Sequence, residues 1–500
     1  MRHPTTDRIV RTTAGSVRGV PSAGGSAFLG IPYAHDPVGK RRFAPPLAHT
    51  GWGGIRAADA VGPAAPQTED LGRREMFDLP DYETDEATCL TVNVWTPGVE
   101  GPRRPVLVWI HGGAFSWGSG GDLVYDGARL STRRDVVVVT LNYRLGALGF
   151  LRLPGAPGSG ALGLLDQIEA LRWVRANIAA FGGDPDMVTL FGQSAGAVSI
   201  AAHLAAPESR GLFQRAILQS GSGEMLLDAA EADERATEFA SILGIELTDL
   251  AAFRALPVAD ILLAQAEFDR RLEDRGQLAA FLPVVDGSVL DEQPLDAIRA
   301  GRSADVPLIL GAAREEGRLF TELIDGPEFE PTDALAVLRG AYADPDAAAA
   351  GYAAQERWTD PRSIMAAVLG DELFRAPTDR LAHAAAARSA VWRYEFAYRS
   401  GAEGKELGAC HSLELPFVFD LLDTPAARRF AGNDAPQALA EWMGAAWGAF
   451  ASGRDPGWPR YDDEDRLTLI LDDQIFVISD PLAERRSLWT RAGFGLTQPS

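Results

Sequence analysis

The stretch of sequence that decides the fold is Met187-Val188-Thr189-Leu190-Phe191-Gly192-Gln193-Ser194-Ala195-Gly196. Its first half has the apolar and β-branched composition of a buried strand, and the alanine-rich residues 197–205 that follow it predict a helix. The GxSxG pattern between them is typical of a sharp turn that exposes a serine hydroxyl, because small neighbours let other backbone approach the turn. This stretch therefore predicts a strand, a tight turn and a helix, with Ser194 as a candidate nucleophile.

Short β-branched and aliphatic runs recur along the chain and predict further buried strands at residues 106–110, 136–141, 216–219, 306–310 and 391–396. Segments with helical composition, such as residues 167–180, separate several of them. This alternation predicts a mostly parallel central sheet flanked by helices, an α/β architecture. Two stretches, at about 223–280 and 317–388, have helical spacing and few strand signals. We expect residues 1–500 to form a single elaborated domain, with these two stretches as helical insertions around the active site.

Composition and charge restrict the possible partners. The chain has 46% hydrophobic and 23% charged residues, which are ordinary globular values that exclude a disordered or fibrous protein. Its formal net charge of −22 repels phosphate backbones and anionic membrane surfaces. We therefore expect no nucleic acid and no membrane as partners. A small-molecule substrate and a monomeric state are the further expectations.

Cysteine usage and the N-terminal sequence bear on cofactors and compartment. The chain has only two cysteines, Cys89 and Cys410, and neither lies in a spacing that holds zinc. We expect no metal, no cofactor and no disulfide. The N-terminal residues 1–19 contain no continuous apolar segment of the kind that a signal peptide requires, so we expect a cytoplasmic protein.

A glycine-rich loop follows the first predicted buried strand. Its sequence is His111-Gly112-Gly113-Ala114-Phe115. Such a loop exposes backbone N–H groups, and each donor placed where charge develops on a carbonyl oxygen contributes about 100-fold to 1,000-fold to the rate. The N–H of Ala195 at the start of the next helix would add another donor. We expect an oxyanion hole here, with His111 in a structural role.

The general base is sought among the histidines that follow the serine, because nucleophile, acid and base come in that order in this type of site. His203 lies on the same predicted helix as Ser194, about 13 Å along its axis, and is expected to be a packing residue. His383 lies in an alanine-rich helix with no polar neighbour to orient its ring. His411 lies in a loop after the predicted strand at 391–396 and is the predicted base.

The acid is sought between the serine and the histidine, near the end of a strand. Glu315 and Glu316 follow the predicted strand at 306–310, and we expect one of the two to face inward and the other outward. A carboxylate bonded to the imidazole Nδ1–H would fix the tautomer and stabilise the imidazolium. Asp286 is the alternative acid, although its neighbours Gly287 and Ser288 favour an Asx-type turn.

Taken together, these motifs resemble those of the type-B carboxylesterases, the family that includes bacterial para-nitrobenzyl esterases, mammalian liver carboxylesterases and cholinesterases. Further similar stretches, spread over nearly the whole chain, include Phe28-Leu29-Gly30-Ile31-Pro32-Tyr33-Ala34, Asn142-Tyr143-Arg144-Leu145-Gly146 and Phe181-Gly182-Gly183-Asp184-Pro185. The resemblance implies the α/β-hydrolase fold and hydrolysis of carboxylic esters of small neutral molecules through an acyl-enzyme. The residues that it implies are a Ser194, Glu316 and His411 triad and the oxyanion donors Gly113, Ala114 and Ala195.

The chain also departs from the family pattern. Where the family usually has Ser-Glu-Asp-Cys, this chain has Glu86-Ala87-Thr88-Cys89, so we expect the glutamate that pairs with Arg42 to be missing and Cys89 to be a free thiol. Gln193 replaces the glutamate that precedes the nucleophile in cholinesterases, which disfavours choline esters. The same triad could cleave carbamates, amides or thioesters, and this alternative stays open. A non-catalytic cholinesterase-like binding protein is disfavoured because the triad is intact.

Overall fold

The structure, a computed structural model, describes residues 8–68, 83–273, 275, 279–323, 338–339, 342–354, 360–404 and 406–492. Short apolar and β-branched runs form its strands, because such side chains pack well on a pleated surface. The strands are β1 (Ile9–Arg11), β2 (Ser16–Arg18), β3 (Val20–Ser22), β4 (Gly25–Pro32), β5 (Ile55–Ala57), β6 (Thr91–Thr96), β7 (Arg104–Ile110), β8 (Val137–Leu141), β9 (Gly183–Gln193), β10 (Arg215–Gln219), β11 (Leu227–Asp228), β12 (Val284–Val285), β13 (Leu308–Ala313), β14 (Val391–Phe396), β15 (Leu467–Leu471) and β16 (Phe476–Ser479).

Eleven of these strands form one sheet in the order β16-β15-β14-β13-β10-β9-β7-β8-β6-β4-β3. Neighbours from β15 to β8 run parallel, whereas β16 at one end and β6, β4 and β3 at the other pair antiparallel. Each of the six predicted strands lies in the parallel part. The predicted α/β fold with a mostly parallel sheet is therefore confirmed.

The sheet is buried on both faces, which explains why its strands have continuous apolar runs rather than alternating ones. Along β7, Val106, Val108 and Ile110 point into one hydrophobic core. Leu107 and Trp109, which alternate with them, point into a second core on the opposite face. The helices cover these two cores.

The helices described are Ala128–Arg134, Gly146–Phe150, Leu162–Asn177, Ala195–Ala205, Ala229–Leu243, Leu250–Ala255, Val258–Glu273, Pro294–Arg299, Arg318–Leu323, Pro345–Ala353, Pro361–Gly370, Ala376–Ala386, Leu415–Val418, Pro425–Ala431, Gln437–Ala451 and Ala483–Ala492. Short 3-10 turns lie at Gly39–Arg41, Leu123–Tyr125, Ile178–Phe181 and Pro207–Ser209, and a π-helical turn at Asp371–Arg375. Among the described residues, no helix combines the length and the apolar character needed to cross a membrane.

The two stretches predicted as insertions contain mostly helices in their described parts. The first holds the helices between residues 229 and 273 together with the short strand β11, and the second holds those between 318 and 386. Residues 274, 276–278, 324–337, 340–341 and 355–359 of these stretches lie outside the described residues. The division of the chain into one domain with two insertions stays a prediction.

The antiparallel part of the sheet was not predicted as strands. β6 carries Asn93, whose side chain accepts a 2.9 Å hydrogen bond from the N–H of Gly30 on β4. Gly30 has a φ of +65° and lies in the irregular part of β4, where the register with β6 shifts. A β-carbon at this position would lie 2.6 Å from the carbonyl oxygen of Ala60. The bulge interrupts the alternation of side chains, so no regular period marks β4 in the sequence.

Candidate active site

Ser194 lies on a sharp turn between β9 and the helix Ala195–Ala205. Its φ of 56° and ψ of −126° are outside the regions that most residues with a side chain adopt, and such strain costs about 1–3 kcal/mol. The turn packs tightly on β7: a β-carbon at Gly192 would lie 2.8 Å from the carbonyl oxygen of Ile110, and one at Gly196 would collide with the same atom. Gly192 and Gly196 are therefore needed on both sides of the strained serine, as the GxSxG pattern predicts.

Glu316 and His411 meet through a hydrogen bond of 2.5 Å between Oε2 and Nδ1. The second carboxylate oxygen, Oε1, accepts a 2.6 Å hydrogen bond from the N–H of Ala313. Both side chains are buried, and His411 and Ser194 line the same cavity. The structure therefore brings the three residues of the predicted triad to one place at the carboxyl ends of β9 and β13 and in the loop after β14.

The other ring nitrogen of His411 contacts the residue that precedes the serine. Nε2 lies 2.9 Å from the side-chain amide nitrogen of Gln193. If Nδ1–H donates to Glu316, Nε2 carries the lone pair and accepts from this amide. This contact was not predicted, because the two residues lie 218 positions apart along the chain.

The glycine-rich loop after β7 passes close to the serine. A β-carbon at Gly112 would lie 3.1 Å from Cβ of Ser194, and Gly113 and Ala114 have φ angles of 107° and 50°. These three loop residues line the cavity together with Ser194. The N–H of Ala195 starts the helix that follows the serine. The predicted oxyanion donors thus lie around the serine, on the loop and at the helix N-terminus.

His111 has the structural environment that was expected of it. Its Nδ1 lies 2.8 Å from the carbonyl oxygen of Gly112, and its ring stacks on Tyr143 at 4.5 Å. Burial lowers the pKa of His111 to about 4, so the ring is neutral at pH 7. The prediction of a structural role is consistent with these contacts.

The expectation that one of the two glutamates faces outward was wrong. Glu315 is only 4% exposed, and its carboxylate accepts hydrogen bonds from Arg318 at 2.9 Å, from Arg399 at 2.6 Å and from the N–H of Ala409 at 3.0 Å. Burial alone would raise the pKa of Glu315, but the Ala409 N–H and the two guanidinium groups outweigh it and lower the pKa. Through its hydrogen bond from Ala409, Glu315 therefore stabilises the position of the loop that carries His411.

The alternative acid, Asp286, lies in a turn of its own. Its Oδ1 accepts a 2.9 Å hydrogen bond from the N–H of Ser288, which confirms the predicted Asx-type turn. Its Oδ2 lies 3.7 Å from Nε of Arg152. Glu316, and not Asp286, contacts the imidazole of His411.

The two other histidines after the serine lie away from it. His203 is buried and bonded to Gln167 and Ser209, as expected for a packing residue. His383 is exposed, and its Nδ1 lies 2.7 Å from a carboxylate oxygen of Asp463, so the expectation that it has no polar neighbour was wrong. The partner comes from a turn 80 residues later, which local sequence does not reveal.

Arg42 does have a glutamate partner, which corrects the expectation drawn from the family pattern. Its Nε donates a 2.5 Å hydrogen bond to Glu86, and its Nη2 pairs with the other carboxylate oxygen of the same residue. Arg42 also donates to the carbonyl oxygens of Arg254 and Leu256. Glu86 lies one position before the glutamate of the family pattern, and a turn before β6 brings its carboxylate to Arg42. Cys89 is a free, buried thiol, as expected.

A cavity that opens to solvent lies in front of Ser194 and His411. Most of its lining is apolar and comes from the residues after β7, after β13 and after His411, namely Trp117, Val124, Tyr125, Leu319, Phe320, Leu415, Pro416, Leu421, Ala427 and Phe430. Within the part of the chain that the structure describes, no group of three or more His, Cys, Asp and Glu side chains could hold a metal ion.

Comparisons with known proteins agree with this geometry. Residues 6–489 match the profile of the carboxylesterase family. The chain belongs to this family. It is 39% identical over 496 residues to the para-nitrobenzyl esterase of Bacillus subtilis, and the aligned region covers 96% of this chain and 98% of that protein. It is 36% identical over 489 residues to the phenmedipham hydrolase of Pseudarthrobacter oxydans, with 95% of this chain and 97% of that protein covered.

The fold of the carboxylesterase also matches solved structures. A solved para-nitrobenzyl esterase superimposes with a TM-score of 0.86 at 38% identity, over 97% of this chain and 99% of the other. The family and the esterase relatives identify the chain as a carboxylic ester hydrolase of the serine type, with the α/β-hydrolase fold. The ester reading is thus favoured over carbamates, amides, thioesters and a non-catalytic binding protein.

Sequence reasoning missed one further acidic group of this carboxylesterase. Glu414 is buried three residues after His411, and its Oε1 accepts a 3.1 Å hydrogen bond from Gln219, which in turn accepts from the indole N–H of Trp447 at 3.0 Å. Burial, and next the negative charge of Glu316, raises the pKa of Glu414 to about 7. Its only signal in the sequence is a glutamate in the otherwise apolar run at residues 413–419.

Proposed function

We propose that this carboxylesterase cleaves esters of small neutral molecules through an acyl-enzyme on Ser194, with His411 as general base and Glu316 as the acid that orients it. The observation that carries the proposal is the buried 2.5 Å contact between Glu316 Oε2 and His411 Nδ1, at the rim of the cavity that exposes Ser194. A carboxylate in this place keeps the proton on Nδ1 and leaves Nε2 free to accept one.

The reaction begins when the hydroxyl oxygen of Ser194 attacks the ester carbonyl carbon and Nε2 of His411 takes the hydroxyl proton. In the resting structure Nε2 contacts the amide of Gln193, so this amide gives up its contact as Nε2 turns to the serine. The tetrahedral intermediate collapses, the carbon–oxygen bond to the alcohol breaks, and His411 returns its proton to the leaving alcohol. His411 then takes a proton from a water molecule whose oxygen attacks the acyl carbon. The bond from that carbon to the Ser194 oxygen breaks, His411 returns the proton to this oxygen, and the carboxylic acid leaves.

The N–H groups of Gly113, Ala114 and Ala195 are proposed to bind the negative oxygen of both tetrahedral intermediates. The position of these residues supports this role, because Gly113 and Ala114 line the cavity that Ser194 also lines, and Ala195 begins the helix directly after the serine. Donors that are fixed before the reaction stabilise the charge without a cost in reorganisation.

The substrate class follows from the lining of the cavity. Its walls are mostly apolar, which favours substrates with alkyl or aromatic acyl and alcohol groups. Gln193 places a neutral amide next to the nucleophile, which offers no carboxylate to a cationic alcohol group. Uncharged esters are therefore the proposed substrates.

We also propose that the carboxylesterase acts in the cytoplasm as a monomer. Both cysteines are buried free thiols, and a reducing compartment preserves such thiols. A net charge of −22 opposes self-association of the chain. Cell fractionation and light scattering on the purified protein test the two statements.

The proposal is tested by replacing Ser194 with alanine and by labelling the wild type with an organophosphate. We expect Ser194→Ala to lose at least about 10⁴-fold in kcat on para-nitrophenyl esters while unfolding at the same temperature as the wild type. Peptide mapping of the labelled wild type should find the phosphoryl group on Ser194. More than about 1% residual activity in the variant, or label on another residue, contradicts the assignment.

A further inference from the structure

Two phenyl rings pack against the imidazole of His411. The ring centroid of Phe374 lies 4.3 Å from that of His411 with 31° between the planes, and that of Phe320 lies 5.3 Å away at 39°. The two phenyl rings stack on each other at 5.9 Å and 8°. Phe320 lines the substrate cavity, whereas Phe374 is not part of its lining and is only 3% exposed. Both rings therefore contact the same imidazole, but Phe320 faces the substrate cavity and Phe374 lies in the protein interior.

Phe374 lies in the π-helical turn Asp371–Arg375, between the helices Pro361–Gly370 and Ala376–Ala386. Such turns interrupt the regular helix and are found often at functional sites. The first residue of the turn is anchored in a buried cluster. Oδ2 of Asp371 accepts hydrogen bonds of 2.6 Å from the Tyr352 hydroxyl, 2.5 Å from Arg485 and 3.1 Å from the Trp489 indole.

The last residue of the turn is anchored next to the acid of the triad. Arg375 donates to the carbonyl oxygen of Arg314, two residues before Glu316, and its Nη2 lies 3.1 Å from a carboxylate oxygen of Glu395. The helix before the turn also packs closely against Glu316, because a β-carbon at Gly370 would lie 3.2 Å from Cβ of Glu316. The helix Pro361–Gly370 and the turn that follows it thus lie against both Glu316 and His411.

We propose that Phe374 is a positioning residue for the catalytic imidazole, an inference that rests on the proposed role of His411. The hydrogen bond to Glu316 fixes Nδ1, but Nε2 has to leave the Gln193 amide to take the serine proton, and the imidazole can then rotate about its remaining hydrogen bond. The phenyl ring of Phe374, whose position is set by the π-helical turn, restricts this rotation of the imidazole and keeps Nε2 on the side of Gln193 and Ser194. A phenyl face within about 6 Å also favours the imidazolium that forms when the serine loses its proton.

The test compares Phe374→Leu and Phe374→Tyr with the control Phe320→Leu, by measuring kcat and KM on para-nitrophenyl acetate and butyrate. Leucine fills much of the space but has no flat face, so we expect kcat to fall at least about tenfold with KM within about twofold, since small misplacements of a catalytic group cost up to about 100-fold. Phe374→Tyr keeps the face and should restore kcat to within about threefold. Phe320→Leu should change KM more than Phe374→Leu does.

Thermal unfolding of each variant separates positioning from folding. If Phe374→Leu does not fold, Phe374→Met, whose flexible chain fills the same space, replaces it in the comparison. A folded Leu or Met variant with wild-type kcat overturns the inference, and so does a Tyr variant as slow as the Leu variant. His411→Gln is measured alongside them: if it stays active, the proposed function fails. If it is inactive while the Phe374 variants keep their kcat, only the positioning role fails.

Discussion

Replacing Glu316 with glutamine tests the triad most directly, because both oxygens of this carboxylate accept hydrogen bonds from N–H groups. Oε2 faces Nδ1 of His411, and Oε1 accepts from the backbone N–H of Ala313. A glutamine has one oxygen and one NH2 group, so in either orientation its NH2 must face a donor. If the NH2 faces the imidazole, Nδ1 has to become an acceptor and the proton moves to Nε2, where it blocks general-base catalysis.

The size of the effect follows from this conflict. The equivalent acid-to-amide change in a Ser-His-Asp enzyme costs about 10⁴-fold in kcat, which is about 5.4 kcal/mol of transition-state stabilisation. In the other orientation of the amide, the NH2 group faces the N–H of Ala313 and a buried hydrogen bond is lost, at a cost of about 1–3 kcal/mol in stability. We therefore expect Glu316→Gln to lose about 10³-fold to 10⁴-fold in kcat, with a small change in KM and a moderate loss of stability.

The assay measures kcat and KM on para-nitrophenyl butyrate for Glu316→Gln, Glu315→Gln and Asp286→Asn, with the unfolding temperature of each. Glu315→Gln weakens the contacts to Arg399 and Ala409, so it should lower stability and reduce kcat only about tenfold or less. Asp286→Asn should leave kcat unchanged, because this carboxylate bonds within its own turn. A Glu316→Gln enzyme within about tenfold of the wild type, with a large loss at Asp286→Asn, refutes the reasoning.

Three further predictions concern the surroundings of the site. Because burial raises the pKa of Glu414 to about 7, the folded state binds the proton of this carboxyl more tightly than the unfolded state does. The resulting stabilisation is full below about pH 4.5 and is lost as the pH rises through about 7. In urea unfolding, the free energy of unfolding should therefore fall more between pH 5 and pH 8 for the wild type than for Glu414→Gln. Removing one partner of the buried pair with Arg42→Met or Glu86→Gln should each cost about 3–5 kcal/mol in urea unfolding, and a double variant that costs their sum would show that the two side chains are not coupled. Ala427→Phe, in the apolar wall of the cavity, should lower kcat/KM for para-nitrophenyl hexanoate at least about tenfold more than for acetate, and an equal change for both esters would place the acyl chain elsewhere.

The sequence was sufficient where function depends on local geometry. The strand, turn and helix around Ser194 are encoded within one continuous stretch, since a strained serine needs glycines beside it and a buried strand needs apolar residues. Six of the seven parallel strands were equally clear, because burial on both faces leaves continuous apolar runs, whereas the parallel strand β15 was not predicted. The antiparallel strands were missed because β4 has a bulge and β6 carries Asn93 in its interior, and neither shows a regular period.

The errors at the site came from contacts between residues that are far apart in the chain. The charged partner of Arg42 was expected at the family's position, but a turn places Glu86 there instead, because a carboxylate shifted by one residue can reach the same guanidinium. Glu315 looked like a solvated neighbour of Glu316, and its partner Arg399 lies 84 residues away. Residue types alone do not determine which of two adjacent carboxylates reaches the imidazole, because this also depends on the conformation of the backbone around them. In this carboxylesterase both adjacent glutamates are buried, and they differ in function because one is neutralised by arginines while the other faces a histidine that must gain a proton during each step of the reaction.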